Sequence, residues 1–504
     1  MSVAAPKGGL VLGRAALQIG IAEALRRLRP DETGLIALPL PEGDPAAVLA
    51  LHAGDAFLWR SAEETWVGLG AALCLRGHGA ERFVELRSAA ERASAGLRWF
   101  ELAPGARALA GSRARWFGGL SFASGSAESP PWDGFGDSEM VLPRWLVGGD
   151  GVANVAVLAL SGATEVETAL ERALAELDDI VAALCSPDAT PVLSGIERET
   201  HCNDEEAHDG APARRQRYRD TVERALVAIA TGRARKLVPV RRVEIDLSAP
   251  VDLVSLLARF GRAGAPKSSA LFAIVRGDRA FVGATPERLV RLLGRLVETH
   301  ALAGSERAGR PGQSAEDADS QRADAARRLS SRPKDRREHA WVVRHLVERL
   351  RPLCSRLDWA AEPQVLALQH VLHLETEIDG ELRERRHVLE LVERLHPTPA
   401  VAGYPVAAAG RWLAEQEESL RGWYAGPVGW FDDAGDGDFR VALRAMLVTP
   451  SRAFLYAGAG VVEGSDPEAE LRETDLKLEP ARSALQETPD LEPAGWDARV
   501  AQPV

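Results

Sequence analysis

Cysteine is scarce. The four in 504 residues (Cys74, Cys185, Cys202 and Cys354) lie far apart, with no CxxC pair and no zinc-ribbon spacing. So few cannot staple so long a chain, which excludes a disulfide framework and makes a reducing compartment the simpler expectation. Long apolar runs are missing too: nowhere do roughly 18 apolar residues follow one another uncharged, so no membrane-spanning helix is expected. The apolar stretch Gly8 to Ala24 is interrupted by Arg14 and Glu23 and lacks a small-residue cleavage site, so no secretory leader is expected either. A soluble, cytoplasmic protein is the reading. Also absent are internal repeats, low-complexity tracts, a P-loop and a GxGxxG dinucleotide fingerprint. Positive charge is in deficit, with 61 Lys and Arg against 73 Asp and Glu, a formal charge of −12. That balance argues against nucleic acid or an anionic membrane as main partner. It also sets a constraint: an anionic ligand would have to be drawn in by local cations or a metal.

What is present is a folded composition, 46% apolar and 27% charged, with 46 Gly and 30 Pro. Length suggests two to four domains, or one large β-rich unit. Up to about residue 185, short apolar runs alternate with Gly and charged clusters. Leu35–Pro41, Ala56–Arg60, Trp66–Leu75 and Val152–Leu160 read as strands, and Ala15–Leu28 and Val166–Leu184 as helices. Ser124–Asp137 reads as loop, and the polar stretch 186–214 as a linker or loop. Beyond it, a helix is expected over Tyr218–Thr231 and a strand over Lys236–Ile245. Ala270–Val275 and Ala280–Gly283 read as a hairpin turned by Arg276-Gly277-Asp278. A polar region, Gly304 to Lys334, precedes a helix Asp335–Leu353. Phe439–Val448 and Tyr456–Val462 read as single strands, and Ser465-Asp466-Pro467 as a capped helix start. Strands outnumber helices and hairpins dominate, so a mostly antiparallel α+β architecture is expected.

Chemistry concentrates late in the chain. On a helical wheel Leu471, Leu478 and Leu485 stay within about 40° of one another, while Glu470, Glu473 and Lys477 cluster at roughly 200–260°. Such a triplet ordinarily serves a solvated face; if buried, its two carboxylates repel unless a hard cation such as Mg²⁺ lies between them. Asp335 and Glu338 repeat the i, i+3 pairing at another helix start, where acids also suit the helix dipole. Strand alternation puts Lys236 on one face with Val238 and Val240; turned inward it would lose solvation, lowering its pKa and freeing an amine to act as a base. Glu287 follows a strand through a Pro turn. Two other signals fail: Asp432 to Gly437 lacks calcium-loop ligands and reads as a hairpin turn, while His370 and His373 have neither zinc nor HExxH spacing. His201 and His208 read as solvated.

Read together, these segments resemble the chorismate-utilising enzymes: the isochorismate, salicylate, anthranilate and aminodeoxychorismate synthases. The strings are Phe281-Val-Gly-Ala-Thr-Pro-Glu-Arg-Leu289, Ala301-Leu-Ala-Gly-Ser305, Lys334-Asp-Arg-Arg-Glu-His339 and His396-Pro-Thr-Pro-Ala-Val-Ala-Gly-Tyr-Pro405. Further along come Arg421-Gly-Trp-Tyr-Ala-Gly-Pro-Val-Gly429, Ala457-Gly-Ala-Gly460, and Gly464-Ser-Asp-Pro-Glu-Ala-Glu470 with Glu473-Thr474. His396-Pro-Thr-Pro-Ala400 is similar to the isochorismate synthase branch, since salicylate- and amine-forming relatives usually carry Thr at Ala400. Pro239 departs from the usual aliphatic residue, and Glu375 and Glu377 look atypical.

The resemblance implies a large, mostly antiparallel β-sandwich core with helices packed outside. Residues 1–185 would be its N-terminal β-rich portion, 215–485 the chorismate-binding catalytic region and 486–504 a tail. It implies Mg²⁺ held by Glu338 and Glu473, with Asp335 and Glu470 close by. It implies substrate contacts at Ser305, His373, Ala400, Tyr424, Arg444, Lys477 and the Gly458 and Gly460 backbone. The reaction implied is water addition at ring carbon 2 with loss of the carbon 4 hydroxyl, Lys236 acting as base and Glu287 as acid, for menaquinone or catecholate siderophore biosynthesis. Salicylate synthase and a non-catalytic chorismate-binding descendant are the rivals. No glutamine amidotransferase subunit is expected.

Overall fold

The computed structural model describes residues 13–102, 105–109, 113–149, 153–185, 211–262, 269–307, 315–367, 371–417 and 420–486. The expected linker and tail fall, except at their edges, outside the described residues, as do Cys202, His201, His208 and His370. Cys74, Cys185 and Cys354 are free thiols.

Among the described residues, twenty-four strands form three sheets. In spatial order the first sheet runs Val240–Asp246, Arg452–Gly458, Ala445–Val448, Arg279–Thr285, Ala270–Arg276, Ala56–Arg60, Thr65–Leu69, Trp145–Gly149, Asn154–Ser161, Thr33–Leu40 and Leu97–Glu101. The second runs Cys354–Trp359, Val371–Leu382, Leu296–Arg307, Arg288–Leu293, Gly437–Val441, Pro427–Asp432, Arg115–Leu120, Ser138–Leu142 and Leu73–Gly77, with Gln364–Ala367 added against Val371–Leu382. A small third sheet holds Lys236–Leu237 between Gly403–Tyr404 and Val461–Val462. Pairing is antiparallel, apart from Thr33–Leu40 beside Leu97–Glu101.

Strand alternation sorts the core into layers. Phe57 and Trp59 point inward with Phe117, Met140, Val428 and Phe439 of the second sheet, so the two large sheets share one core. Leu58, between them, points outward into a second cluster with Leu17, Leu177, Phe260 and Leu485. Those four come from the helices Arg14–Arg27, Val166–Cys185, Leu253–Arg262 and Pro467–Leu485, which cover the outer face of the first sheet. This is the α+β sandwich with outer helices.

Four expected strands are each two strands. Trp66–Leu75 breaks at Gly70 (φ 63°), Lys236–Ile245 at Pro239, Phe439–Val448 before Ala445 at Arg444 (φ 48°), and Tyr456–Val462 after Gly458. In each case the second piece pairs in a different sheet. Most of these pieces are buried on both sides of the break, Gly437–Val441 and Ala445–Val448 throughout, so hydrophobicity carries no mark of the change in partner. The polar region Gly304–Lys334 also differs: its start continues the strand to Arg307, and it then holds the helix Ala315–Ser331, seated by buried Ala325 and Leu329. Ser124–Asp137 is irregular, yet Trp132 and Phe135 are core residues, with the Trp132 indole donating to Tyr456 OH (3.0 Å). Asp432 to Gly437 is a hairpin turn, in which Asp432 Oδ1 accepts from the Ala434 and Asp436 amides (2.9 and 3.0 Å). No helix among the described residues is long and apolar enough to cross a membrane.

Candidate active site

The site lies where chains change sheets. One crossing carries Pro286 and Glu287 from Arg279–Thr285 of the first sheet to Arg288–Leu293 of the second. Beside it, Ala442 to Arg444 return from Gly437–Val441 to Ala445–Val448. The two crossings are tied together: the Val441 amide donates to Glu287 O (3.0 Å), the Ala284 amide to Arg444 O (3.2 Å) and the Thr285 hydroxyl to Val441 O (2.6 Å). A third departure, at Pro239 and at Gly458 to Gly460, takes two paired chains from the first sheet into the small one. The helices Pro333–Leu350 and Pro467–Leu485 close the space. The second begins as its residues dictate, with Asp466 Oδ2 accepting from the Ala469 amide (2.8 Å) and Pro467 in the first turn.

One cavity gathers Lys236, Glu287, Ser305, Asp335, Glu338, His373, Ala400, Tyr424, Arg444, Gly458, Gly460, Glu473 and Lys477. Lys236, Val238 and Val240 line it together despite the break at Pro239. Lys236 is buried as an inward-facing residue would be, but not away from charge: Nζ stands 3.5 Å from Glu338 Oε2. Gly460 is necessary to this approach: a Cβ there would meet Glu338 Oε2 and Lys236 Cε at 3.0 Å each.

Glu287 is buried, and burial pushes its carboxyl up to about 7, against the pull of the Lys236 charge and of the Thr398 hydroxyl, which donates to Oε1 (3.4 Å). Burial likewise holds the Tyr424 phenol up at about 12. His373 is driven down to about 3 by burial and by the Arg444 and Lys477 charges, so it is neutral. Its Nδ1 donates to Gly304 O (3.0 Å), which leaves Nε2 to accept from Arg444 Nη2 (3.2 Å). Arg444 thus meets a neutral ring, and no carboxylate pairs with it among the described residues.

The acids lie in a buried, mixed-charge cluster. Leu471, Leu478 and Leu485 are buried, but so are Glu470 and Thr474, so the polar face of this helix is not a solvated one. Lys477 Nζ contacts Glu473 Oε1 (2.8 Å) and donates to Gly458 O (2.9 Å); burial opposes ionisation of Glu473, yet Lys477 outweighs it and holds that carboxyl below its ordinary value. Glu338, Asp335 and Glu470 are pushed up, by burial first and by the Glu473 charge among the rest. Asp335 Oδ2 is buried without a hydrogen-bond partner, its nearest cation being Arg332 Nη1 at 3.7 Å. Glu470, alone of the four, does not line the cavity; Lys334 Nζ holds its Oε1 at 3.2 Å. Among the described residues no group of three His, Cys, Asp or Glu side chains is arranged to hold a metal by itself. Crowded carboxylates, with the Glu338 and Asp335 pKa values raised and an Asp335 oxygen without a hydrogen bond, nevertheless fit a hard divalent cation such as Mg²⁺, which takes one or two protein carboxylates and fills its remaining positions with water and ligand oxygens.

A family model for chorismate binding enzymes matches residues 21–486, the span of every cavity residue named above. The chain belongs to the chorismate-binding enzymes. Over 429 residues it is 35% identical to the salicylate biosynthesis isochorismate synthase of Pseudomonas aeruginosa, covering 85% of this chain and 84% of that protein. With isochorismate synthase MenF of Bacillus subtilis it shares 31% over 385 residues, 73% and 74% of the two chains. Among solved structures, MenF, the menaquinone-specific isochorismate synthase from Escherichia coli, is similar at a TM-score of 0.70 and 26% identity, covering 94% of this chain and 100% of that one.

In this chorismate-binding enzyme, residues to which sequence reasoning gave no role also shape the cavity. Lys334 stands at i, i+4 before Glu338, a spacing that could have flagged it as a cation beside the acids. Arg421, buried under Phe122, ties the walls together by donating to Val401 O (2.8 Å) and Val238 O (2.7 Å). Thr398 lies behind the lining and donates to Glu287 Oε1 (3.4 Å); it falls in the His396–Pro405 string, yet nothing there marked it as the partner of that acid.

Proposed function

We propose that this chain is an isochorismate synthase: it converts chorismate to isochorismate by adding water at ring carbon 2 and expelling the hydroxyl at carbon 4. The observation that carries the reading is Glu287, a buried carboxyl with a pKa raised to about 7, sharing one cavity with a buried lysine whose charge reaches it. A carboxyl that keeps its proton near neutrality can protonate a departing hydroxyl, and an amine can take the proton of the attacking water. Lys236 is the base and Glu287 the acid. Arg444 offers its planar fork to a carboxylate of the ligand, and Lys477 and the Gly458 and Gly460 amides receive the rest of the anion. Glu338 and Glu473, with Asp335 beside them, would hold Mg²⁺. When bound, that ion supplies positive charge for a substrate carboxylate and takes up the Glu338 charge that otherwise sits against Lys236. Free Cys74, Cys185 and Cys354 suit the cytoplasm.

The test is to incubate the purified chain with chorismate and Mg²⁺ and analyse the products. Isochorismate without pyruvate is expected, with loss of activity on chelation. Salicylate with pyruvate would move the chain to the salicylate synthase branch, and chorismate that binds but is never consumed would make it a non-catalytic descendant.

A further inference from the structure

The chain carries a formal charge of −12, yet a second cleft beside the cavity is cationic. Arg235, Lys334, Arg337 and Arg344 line it against one carboxylate, Glu463. The helix Pro333–Leu350 separates the two spaces. Asp335 and Glu338 look into the cavity, while Lys334, Arg337, Trp341 and Arg344, at steps of three, four and three residues, form one stripe along the cleft. The neighbouring pair divides likewise, with Lys236 at the start of its strand in the cavity and Arg235, just before the strand, in the cleft. Lys334 lines both, so it stands where they meet.

These cations are not matched as arginines elsewhere are. Arg336, next along the helix, reaches Glu362, and Arg219 reaches Glu468. Among the described residues no acid pairs with Arg235, Arg337 or Arg344. Lys334, the one exception, is paired with Glu470, which lines neither space. Trp341, stacked on Tyr404 (centroids 5.8 Å apart, planes 7° from parallel), gives the cleft an aromatic wall.

We infer that this cleft is the electrostatic approach to the cavity, capturing the dianionic ring substrate and passing it inward by way of Lys334. The inference rests on the reading of the cavity as a chorismate site. A dianion is repelled by the chain as a whole, so its encounter rate depends on the local field at the opening, and a cluster of one sign in a cleft raises such rates 10- to 10³-fold by general experience. Solvent-exposed guanidinium groups bind a carboxylate only loosely, which suits a place of passage.

The experiment compares the wild type with Arg337→Glu, Arg344→Glu and the double variant. Chorismate association is followed by stopped-flow tryptophan fluorescence, alongside turnover, from about 20 mM to about 500 mM salt, a range over which screening shortens from tens of ångströms to a few. At low salt the double variant should associate about tenfold more slowly and lose kcat/KM equally, with kcat within about twofold, and the gap should close as salt rises. Arg337→Gln should fall between. Arg26→Glu, on the helix Arg14–Arg27, which changes net charge by as much as either single variant, should track the wild type. Variants that match the wild type at low salt, or a deficit that is the same at every salt concentration, overturn the inference. A wild type that neither binds nor consumes chorismate overturns instead the reading of the cavity.

Discussion

The sandwich uses one device twice. In the N-terminal portion, Thr65–Leu69 of the first sheet crosses through Gly70 to Leu73–Gly77 of the second, and Ser138–Leu142 returns through Pro143 and Arg144 to Trp145–Gly149. These crossings too are tied by their backbones, the Ala72 amide donating to Leu142 O (2.8 Å) and the Arg144 amide to Gly70 O (3.3 Å). In the C-terminal portion the pair is Pro286 with Glu287 and Ala442 to Arg444. Each return places an arginine immediately before the strand that re-enters the first sheet. Arg144 meets Glu176 of an outer helix, its Nε donating to Oε2 at 2.8 Å, and Trp145 and Arg172 complete that carboxylate. Arg444 forms no ion pair among the described residues; its side chain donates to the neutral His373, and the Glu473 charge acts on it only from a distance. The topology is shared and the charge balance is not. A crossing whose cation is neutralised from within holds the fold together, while one whose cation pairs with no carboxylate of the described residues leaves charge available, which is what the proposed anion site requires.

Removing the groups that set the C-terminal pair apart should have the largest effect. Lys236→Ala and Glu287→Gln should each lower kcat by about 10²–10⁴-fold while calorimetry still detects chorismate binding; unchanged turnover in either would remove that residue's role. The same acid sets a pH signature. Glu287 works only while protonated and burial raises its pKa to about 7, so activity is present below that pH and falls about tenfold per unit above it. A kcat/KM profile flat from pH 6 to about 9 would contradict this.

The arginines should separate next. Arg444→Ala should cut kcat/KM for chorismate by about 10- to 200-fold, as loss of a charged hydrogen-bonding partner does, with the melting temperature nearly kept. Arg144→Ala should do the reverse, destabilising by about 1–3 kcal/mol and leaving turnover per folded molecule unchanged; its pair with Glu176 is mostly buried, at 17% and 27% exposure. If both variants lost stability alone, the contrast between the two crossings would disappear. The smallest effects belong to glycine. Gly460→Ala should push Glu338 and Lys236 apart by a few tenths of an ångström and lower kcat about tenfold without unfolding. Gly70→Ala, at φ 63°, should cost about 1–2 kcal/mol in a denaturant melt and nothing in turnover.

Much of the frame was legible in local residues. Asp466 before Pro467 announces a helix because a side-chain acceptor and a preset φ satisfy its first turn, and that helix spans Pro467–Leu485. Arg276-Gly277-Asp278 turns a hairpin because Gly277 takes φ 57° without strain. The site was legible in part. The carboxylate pairs and the inward Lys236 follow from helical and strand periods, and the resemblance named their companions. Hidden were the breaks. Nothing local at Arg444 announces φ 48°, because a non-glycine residue enters that region only when surrounding structure compels it. Hidden too was the Lys236–Glu338 pair, made by elements about a hundred residues apart in the chain.

By itself, then, the sequence determined most of the strands and helices, though not where four of the strands divide, together with the alternation that makes two large sheets share a core and the residue types that could perform acid, base and anion-binding chemistry. Those follow from interactions over a few residues, where side-chain period and backbone preference dominate. Only the tertiary structure decided where strands change sheets, which carboxylates crowd together and which cations are left without an acid. Charge balance and desolvation are set by whatever lies within a few ångströms in space, and neighbours along the chain do not fix those partners.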